Sequence, residues 1–479
     1  MSDILHHYIG GDFRAASTAA TRERRNPSRS TDLVAVAPVG DATDVGHAVA
    51  AAAAAAASWR ATTGPARAEL LYRLGEIIAQ RSEAMAERIA REVGKPIGEA
   101  RGEVGRASVI CRYYAGEAVR AVGQVIPAQT PDTLQYTIHD PVGPVALIAP
   151  WNFPLAIPLW KAAPALAFGN TVVLKPSELS PRVAHELAEA VHAAGFPAGV
   201  FNMAHGDGTT GAALIDHDAI RGVSFTGSQA VGARITEAAA ARGIRCQAEM
   251  GGKNVVIVMA DADLDRAAAL TAAGAFRFAG QKCTATSRVI VADAVRKPFL
   301  DRLAAATAGL TVGPVMESAC AIGPLVTAAA LERTTAALAT APGERLFGGG
   351  LPADGDWAEG NWFAPCAVAV DDPAHPLAQQ ELFAPVLTVL RADDLDHAIA
   401  IANATPFGLS ASLFTRDLHA AMHYARQIEV GLVRINGDTT GVDPHAPFGG
   451  VKGSSLGSRE QGPAAREFYT ESRTIQLHA

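Results

Sequence analysis

Short apolar runs alternate with helical patterns between residues 144 and 258, and this alternation constrains the fold more than any other sequence feature. Residues 144–150, 171–174 and 222–225 are predominantly apolar, as in strands covered on both faces. A helical pattern follows each run. Strands separated by helices pair in parallel through right-handed crossovers. The sequence therefore predicts an α/β chain with a parallel sheet and a ligand site beyond the carboxyl ends of its strands.

Polar residues stand where these runs end. No GxGxxG motif follows a strand, so nucleotide binding has to be inferred from other residues. Gly227-Ser228 opens a helix, whose free N–H groups suit a phosphate. Lys175 could donate to a ribose or phosphate oxygen, and Glu178 could accept from both hydroxyls of an adenosine ribose. An ordinary helix cap and a surface Lys/Glu pair would leave the same pattern, so both interpretations stay open.

Cys283 follows a Gly280-Gln281 turn signal, between an Ala-rich helical segment and a strand-like run at residues 288–291. A cysteine in such a bend can face a cleft. It is a strong nucleophile only as the thiolate, so it would need an activating group nearby. Free cysteines are more often simply buried, and this stretch alone does not separate the two cases.

Two further residues are candidates for chemistry with a cysteine. Glu249 precedes Met250-Gly251-Gly252, and a carboxylate beside such flexible residues could deprotonate water or a thiol if burial raises its pKa. A solvated glutamate at a strand entrance is the alternative. Asn152 lies in a turn stiffened by an aromatic residue and a proline, where its amide could stabilise an oxyanion. The alternative there is a plain turn asparagine.

Composition excludes several classes of protein. The net charge is −7 and the pI about 6.1, which argues against binding to nucleic acid or an anionic membrane. The five cysteines are widely spaced and lack a CxxC pair, so neither a zinc site nor a disulfide framework is expected. The N-terminus shows no signal-peptide pattern, and no apolar run approaches the ~20 residues that span a bilayer. A cytoplasmic protein without a metal site is expected.

The remaining chain predicts a helical scaffold and one ribbon. Residues 41–59 read as a helix capped by Asp41 or Thr43, and residues 65–93 as one amphipathic helical segment. Residues 119–143 change to short alternating strands, beginning at Ala121-Val122. Such a ribbon either mediates association between subunits or is a plain surface hairpin.

Seven segments, taken in order, resemble the NAD(P)-dependent aldehyde dehydrogenase superfamily over essentially the whole chain. The resemblance rests on residues 150–154 (PWNFP), 175–178 (KPSE), 225–228 (FTGS), 249–253 (EMGGK), 280–283 (GQKC), 381–385 (ELFAP) and 447–452 (PFGGVK). Ala384 and Gln380 depart mildly from the commonest Glu-Glu-x-Phe-Gly-Pro pattern, with Glu381 in place. The resemblance implies a Rossmann-type cofactor domain (residues 1–118 and 142–251), an α/β catalytic domain (252–452) and a small β oligomerisation ribbon (119–141 and 453–479).

The resemblance also implies roles for individual residues. Cys283 would be the nucleophile and Glu249 the general base, while Asn152 and the Cys283 backbone N–H would form the oxyanion hole. The cofactor-binding residues would be Trp151, Lys175, Ser177, Glu178, Gly227, Ser228, Glu381 and Phe383. The substrate-binding residues would be Arg277, Phe153, Thr284 and His445. Because a CoA-acylating relative would not need a base, Glu249 favours release of the free acid.

Arg277, six residues before Cys283, could bind a substrate carboxylate through a bidentate contact. A salt-bridged helix arginine is the alternative. Members of the family that oxidise succinic semialdehyde resemble this chain in carrying an arginine six residues before the cysteine. The GQKCTATSR run (280–288) and PHAPFGG (444–450) look more like the 2-oxoglutarate semialdehyde dehydrogenases. The expected substrate is therefore a short carboxylated semialdehyde, with 2-oxoglutarate semialdehyde preferred over succinic semialdehyde or a broad aliphatic range.

The cofactor is expected to be NAD or NADP, with a preference for NAD because the Glu178 carboxylate would repel a 2′-phosphate. The enzyme is expected to be a homodimer or homotetramer. Two other classes remain open from sequence: a catalytically silent relative, and a cysteine hydrolase that uses no cofactor.

Overall fold

The computed structural model describes residues 4–120, 123–341, 343–353, 355 and 357–478. Its strands, in chain order, are β1 His7–Ile9, β2 Asp12–Arg14, β3 Thr21–Asn26, β4 Arg29–Pro38, β5 Val125–Ile126, β6 Thr133–Pro141, β7 Val145–Ile148, β8 Val172–Lys175, β9 Phe201–Met203, β10 Gly222–Thr226, β11 Arg245–Glu249, β12 Val255–Val258, β13 Arg288–Ala292, β14 Thr311–Val312, β15 Cys320–Ile322, β16 Glu344–Gly348, β17 Cys366–Ala369, β18 Val386–Ala392, β19 Phe407–Gly408, β20 Ser410–Phe414, β21 Leu432–Ile435, β22 Val451–Lys452, β23 Ser455–Leu456 and β24 Thr470–His478.

The α-helices are α1 Ala42–Ala61, α2 Gly64–Gln80, α3 Ser82–Val93, α4 Ile97–Glu117, α5 Ala156–Ala167, α6 Pro181–Ala194, α7 Gly208–Asp216, α8 Gln229–Ala241, α9 Leu264–Phe276, α10 Arg296–Ala308, α11 Ala328–Thr340, α12 Pro376–Gln379, α13 Leu395–Asn403, α14 Leu418–Gln427 and α15 Ala465–Tyr469. Short 3₁₀ turns occur at Arg277–Gly280, Asp293–Val295 and Gly462–Ala464. Within the described ranges, no helix is long and apolar enough to cross a membrane.

Two large sheets organise the fold. The first has the order β2-β1-β9-β8-β7-β10-β11-β23, and its five central strands pair in parallel. The second has the order β16-β17-β18-β13-β12-β20-β21 and is parallel except for β16. The central strands β7, β8, β12 and β13 are buried along their whole length, as strands covered by helices on both faces must be. The predicted parallel α/β architecture is confirmed.

Local signals place some helix boundaries well and others badly. Asp41 caps α1 as predicted, accepting from the Thr43 and Asp44 N–H groups at 2.7 and 3.1 Å. The single helical segment predicted at 65–93 is wrong, because the chain breaks at Arg81 into α2 and α3. Arg81 is a good helix former with φ −94° and ψ 13°, so the break follows from the packing of two helices and not from a local breaker.

A three-stranded antiparallel ribbon, β24-β6-β5, stands apart from the two sheets. Its long pair joins Thr133–Pro141 to Thr470–His478. The predicted strand at Ala121-Val122 lies outside the described residues. The ribbon exposes apolar side chains, with Val125 77% and Leu477 52% accessible. That exposure suits a face covered by another subunit, and the association role stays a prediction.

Candidate active site

The strand order of the first sheet brings the predicted site residues together. β8, β7, β10 and β11 are consecutive neighbours in that sheet and run in parallel, so their carboxyl ends share one edge. β8 ends at Lys175 and β11 at Glu249. Asn152 follows β7, and Gly227-Ser228 follows β10. Residues separated by up to about a hundred positions in sequence therefore face one crevice, as expected for a parallel sheet.

One part of this crevice is a cavity of about 870 Å³. Lys175, Ser177, Glu178, Gly227 and Ser228 all line it. The Lys175 ammonium lies 3.4 Å from the Glu178 carboxylate, and burial lowers the pKa of Lys175. Within the described chain, the Ser228 hydroxyl makes no capping bond to α8, so the helix N-terminus and this hydroxyl are both available to an anion.

Gly227 is required where β10 turns into α8. A Cβ atom at this position would lie 2.5 Å from the Phe225 ring, a distance that real Cβ atoms do not reach. The missing side chain therefore lets the chain turn against its own Phe225 ring. Thr226 Oγ1 is buried in the same place without a protein partner among the described residues. An unpartnered buried hydroxyl beside a helix N-terminus fits a bound dinucleotide phosphate.

A second cavity of about 470 Å³ continues from the first, and the two share Trp151, Gly227 and Ser228. Four more of the predicted site residues line this second cavity, namely Asn152, Cys283, Glu381 and Phe383. The Phe383 and Trp151 rings meet edge to face at 5.7 Å between centroids, and Phe383 has a left-handed backbone with φ 55°. Two adjoining cavities fit the two halves of a dinucleotide.

Cys283 stands at the end of a constrained bend that follows α9. Phe278, Ala279 and Gly280 have consecutive positive φ angles of 54°, 53° and 66°, which is rare outside functional sites. The side chain of Gln281 holds the bend by donating to Pro324 O at 3.1 Å and accepting from Val326 N at 2.9 Å. The predicted Gly-led bend is confirmed. It presents the partly exposed Cys283 thiol to the crevice.

Two asparagines fix the backbone around the thiol. Asn152 is buried, and its amide donates to Gln281 O at 3.0 Å. The second N–H of that amide is left for another acceptor in the same cavity. Asn254 donates to Cys283 O and Ala285 O at 2.8 Å each, and the Cys283 N–H makes no hydrogen bond within the described ranges. The geometry suits a pair of N–H donors that face one oxygen.

Negative charges and burial act together on Cys283. Burial raises the pKa of the Cys283 thiol to about 12, and the carboxylates of Glu381 and Glu249 add to the shift. The free enzyme therefore holds the thiol in its protonated form at neutral pH. Reaction at sulfur requires a base that takes this proton or a bound cation that stabilises the thiolate.

Glu249 lies at the end of β11 and is 2% exposed, so the solvated position considered from sequence is wrong. Its Oε2 accepts from the Ser455 hydroxyl at 2.5 Å, and its Oε1 is buried without a partner among the described residues. Burial raises the pKa of Glu249 well above its usual value, and the nearby Glu460 raises it further. A carboxylate with a raised pKa and one free oxygen is equipped to accept a proton.

Sequence reasoning missed the buried polar network behind Glu249. Lys161 forms an ion pair with Glu460 and donates to the Ser224 hydroxyl at 3.0 Å. Ser224 also contacts Gln247 at 3.1 Å. The available signal was a single lysine inside the otherwise apolar helix α5. Other missed residues line the 470 Å³ cavity: Ile157, Leu179, Val326, Thr327, Ala330, Arg333 and Leu382.

Glu381 enters the crevice from the second sheet. Its Oε1 accepts from Gly252 N at 3.0 Å, and burial raises the pKa of Glu381 to about 7. Lys253 lies nearby with a pKa lowered by burial to about 7. Glu381 therefore titrates near neutrality and can accept hydrogen bonds from ligand hydroxyls as a carboxylate.

The four predicted substrate-binding residues lie outside the lining of both cavities. The Arg277 side chain is exposed and makes no hydrogen bond or ion pair within the described ranges, so the salt-bridged alternative is not observed. The Lys95 ammonium lies 3.8 Å from the centroid of the Phe153 ring. Thr284 is buried, with its carbonyl bonded to Thr439 Oγ1 at 2.7 Å. His445 is exposed on the loop before β22.

Comparison with known proteins agrees with this geometry. The aldehyde dehydrogenase family model matches residues 13–475. The alpha-ketoglutaric semialdehyde dehydrogenase of Bacillus subtilis is 41% identical over 473 residues, which cover 98% of this chain and 97% of that protein. The alpha-ketoglutarate semialdehyde dehydrogenase of Haloferax volcanii is 41% identical over 480 residues, which cover 99% of both.

A solved structure gives the same result. The NAD-dependent aldehyde dehydrogenase of Sinorhizobium meliloti has a TM-score of 0.96 and 35% identity, over 100% of this chain and 95% of that one. The strand-end crevice, the Cys283 bend and the buried Glu249 occur in a chain that matches this family along nearly its whole length. The chain belongs to the aldehyde dehydrogenase family, whose members oxidise aldehydes to acids with NAD or NADP.

Proposed function

We propose that this enzyme oxidises a short semialdehyde carrying a carboxylate, with 2-oxoglutarate semialdehyde as the preferred substrate and 2-oxoglutarate as the product. The names of the two relatives at 41% identity support this substrate. The observation that carries the reaction is the meeting of Cys283 and Asn152 in one cavity, with the buried Glu249 close enough to act on the thiol electrostatically. Succinic semialdehyde is the closest alternative substrate.

The first step forms a bond between the Cys283 sulfur and the aldehyde carbon. The thiol proton leaves to Glu249, and the carbonyl electron pair moves to oxygen, which gives a thiohemiacetal alkoxide. The Asn152 amide and the Cys283 N–H stabilise that oxygen, a contribution of about 3 kcal/mol for a single donor elsewhere. When bound, a nicotinamide cofactor would supply the hydride acceptor that oxidation of this adduct to a thioester requires.

The second step releases the acid. Once Glu249 has released the thiol proton to solvent, it takes a proton from water, and the water oxygen bonds to the thioester carbon. The Cys283 sulfur then leaves with the electron pair of the broken bond and takes up the proton held by Glu249. Asn152 holds the oxyanion again. The buried network of Lys161 and Glu460 adjusts the charge around Glu249 and so the proton affinity of this base.

Residues on the two cavities would hold the cofactor. Lys175 and Glu178 would bind the adenosine ribose, Ser228 and the N-terminus of α8 the phosphates, and Glu381 the nicotinamide ribose. Ser177 and Trp151 would line the path, and Phe383 would pack beside the nicotinamide. The position of Glu178 beside Lys175 favours NAD, because a 2′-phosphate would place negative charge next to that carboxylate.

The domain limits inferred from the resemblance form part of the proposal. Residues 1–118 and 142–251 would bind cofactor, residues 252–452 would carry Cys283, and residues 119–141 and 453–479 would associate subunits into a dimer or tetramer in the cytoplasm. The exposed apolar ribbon supports association. β23 also pairs with β11, so the last segment supports the first sheet as well.

Steady-state kinetics over short aldehydes test the substrate class. We expect kcat/KM with NAD to be highest for 2-oxoglutarate semialdehyde, lower for succinic semialdehyde, and at least about ten-fold lower for uncharged aldehydes of equal length, because one charge-assisted hydrogen bond discriminates by roughly that much. NADP in place of NAD should lower kcat/KM. Equal values for charged and uncharged aldehydes would remove the proposed substrate class while leaving the family assignment intact.

Arg277→Leu tests the predicted carboxylate anchor. We expect KM for a carboxylated semialdehyde to rise about five-fold, a modest effect because exposed ion pairs are screened by water. Arg296→Leu, a change on α10, is the matched control and should leave KM unchanged. An unchanged KM in Arg277→Leu would show that this side chain does not touch the substrate.

A further inference from the structure

One face of α4 lies against the elements that carry the reactive groups. Glu99, Glu103 and Arg106 are spaced by four and three residues, so they share that face. Glu99 pairs with Lys282, the residue before Cys283, at 2.8 Å. Glu103 Oε1 accepts from the first N–H groups of the α5 region, Leu155 N at 2.9 Å among them, just after the Asn152 turn. The face therefore borders both the nucleophile bend and the oxyanion turn.

Arg106 is the third residue of this face, and its guanidinium is incompletely satisfied. Its Nη2 donates to Val442 O and lies 3.5 Å from Gln461 Oε1, both uncharged acceptors. Its Nε is buried without a partner, and within the described ranges Arg106 forms no ion pair. Arg106 as a whole is half-buried, and a guanidinium nitrogen removed from water is costly unless an acceptor accompanies it.

The carboxylates near Arg106 do not act as the anionic partner of its guanidinium. Glu103 is already engaged on both oxygens, by the N–H groups at the start of α5 and by Lys95. Asp443 is exposed to solvent and makes no ion pair with Arg106. Burial lowers the pKa of Arg106, while Asp443, Glu103 and Cys283 act in the opposite direction. Cys283 is thus close enough to influence the guanidinium electrostatically.

Arg106 lies outside the cofactor crevice. It is absent from the lining of the 470 Å³ cavity, which contains Cys283 and Phe383. It instead touches Val442, on the same loop as the predicted substrate residue His445, and Gln461, beside Glu460. A ligand bound between α4 and the loop that carries Val442 would meet this guanidinium.

We propose that Arg106 binds the carboxylate of the semialdehyde substrate and sets the enzyme's preference for carboxylated over uncharged aldehydes. This inference rests on the proposed substrate class and adds a residue that the sequence did not suggest. A fork of N–H donors matches the two oxygens of a carboxylate. Because its Nε is removed from water and Arg277 is exposed, the pair formed by Arg106 should be the stronger of the two.

The test compares one pair of aldehydes of equal chain length, 5-oxopentanoate and pentanal, with the full-length enzyme and saturating NAD. We expect Arg106→Met to lower the ratio of their kcat/KM values about thirty-fold, mainly through KM for 5-oxopentanoate, in the range for a charge-assisted hydrogen bond. Arg106→Lys should restore part of the ratio. Arg101→Met, on the exposed side of the same helix, is the matched control and should keep the wild-type ratio.

The outcomes separate the two proposals. A wild-type ratio near one would remove the proposed substrate class, and this inference with it. A high wild-type ratio that persists in both Arg106 variants would overturn the role of Arg106 alone. NAD binding and thermal unfolding show whether Arg106→Met folds. If it does not fold, Arg106→Lys is the deciding variant. A wild-type ratio of the two kcat/KM values in Arg106→Lys, with an unchanged KM for 5-oxopentanoate, would contradict the inference.

Discussion

Replacing Cys283 by alanine should abolish aldehyde oxidation, with kcat at least about a thousand-fold below wild type, as for other enzymes that lose a covalent nucleophile. The reason is that no thiohemiacetal can form without the sulfur, so neither hydride loss nor thioester hydrolysis has a substrate. NAD reduction followed at 340 nm with a carboxylated semialdehyde measures this. NAD binding should persist, because the adenosine-side residues Lys175, Glu178 and Ser228 line a different part of the crevice.

Cys246→Ala is the matched control for this change. Cys246 is a free cysteine of intermediate exposure on β11, and its sulfur lies 3.8 Å from Thr236 Oγ1. We expect this variant to keep wild-type kcat and to react with thiol reagents at Cys283 as before. Full aldehyde oxidation by Cys283→Ala would refute the assignment of Cys283 as the nucleophile. Loss of activity in Cys246→Ala alone would assign the nucleophile to Cys246.

The fold was largely predictable from sequence because its central strands are apolar on both faces. The runs at 144–150, 171–174 and 222–225 could be recognised without their neighbours, and all three are strands of one parallel sheet. β11 was missed because Arg245, Gln247 and Glu249 give it a polar composition, although the latter two are buried. A buried strand with polar side chains lacks the apolar pattern that identifies a strand in the sequence. Burying these side chains is tolerated because they bond to residues far away in sequence, and a local pattern does not show those partners.

Some residues of the site can likewise be located from the sequence, and others cannot. The end of a parallel strand is a position that sequence can locate, so Lys175 and Ser228 can be predicted to lie at one edge of the sheet. The ion pair of Lys161 with Glu460 spans nearly three hundred residues, and the environment of Arg106 depends on Val442 and Gln461. Each of these residues is ordinary in the sequence, and only the fold shows that the charges of Lys161 and Glu460 are buried and that Arg106 is half-buried.

Replacing Glu249 by glutamine should slow release of the acid more than formation of the thioester. An amide cannot accept a proton from water, so deacylation should fall about a hundred-fold or more, the range for general-base catalysis. If hydride loss is less affected, the first turnover should appear as a burst of NADH followed by a slow steady rate. Stopped-flow absorbance at 340 nm separates the two phases, and Glu237→Gln on the exposed face of α8 should show wild-type kinetics.

The pH dependence gives this prediction its sharpest form. Burial and Glu460 raise the pKa of Glu249, so the carboxylate that acts as base is lost as the pH falls through that raised pKa. The wild-type deacylation rate should therefore increase with pH until Glu249 is fully ionised and then level off. Glu249→Gln should lack that titration and retain only the rise caused by hydroxide. An unaltered steady-state rate in Glu249→Gln, or the same titration in both proteins, would assign the base to another group, because a glutamine at this position has no proton to titrate in the range measured.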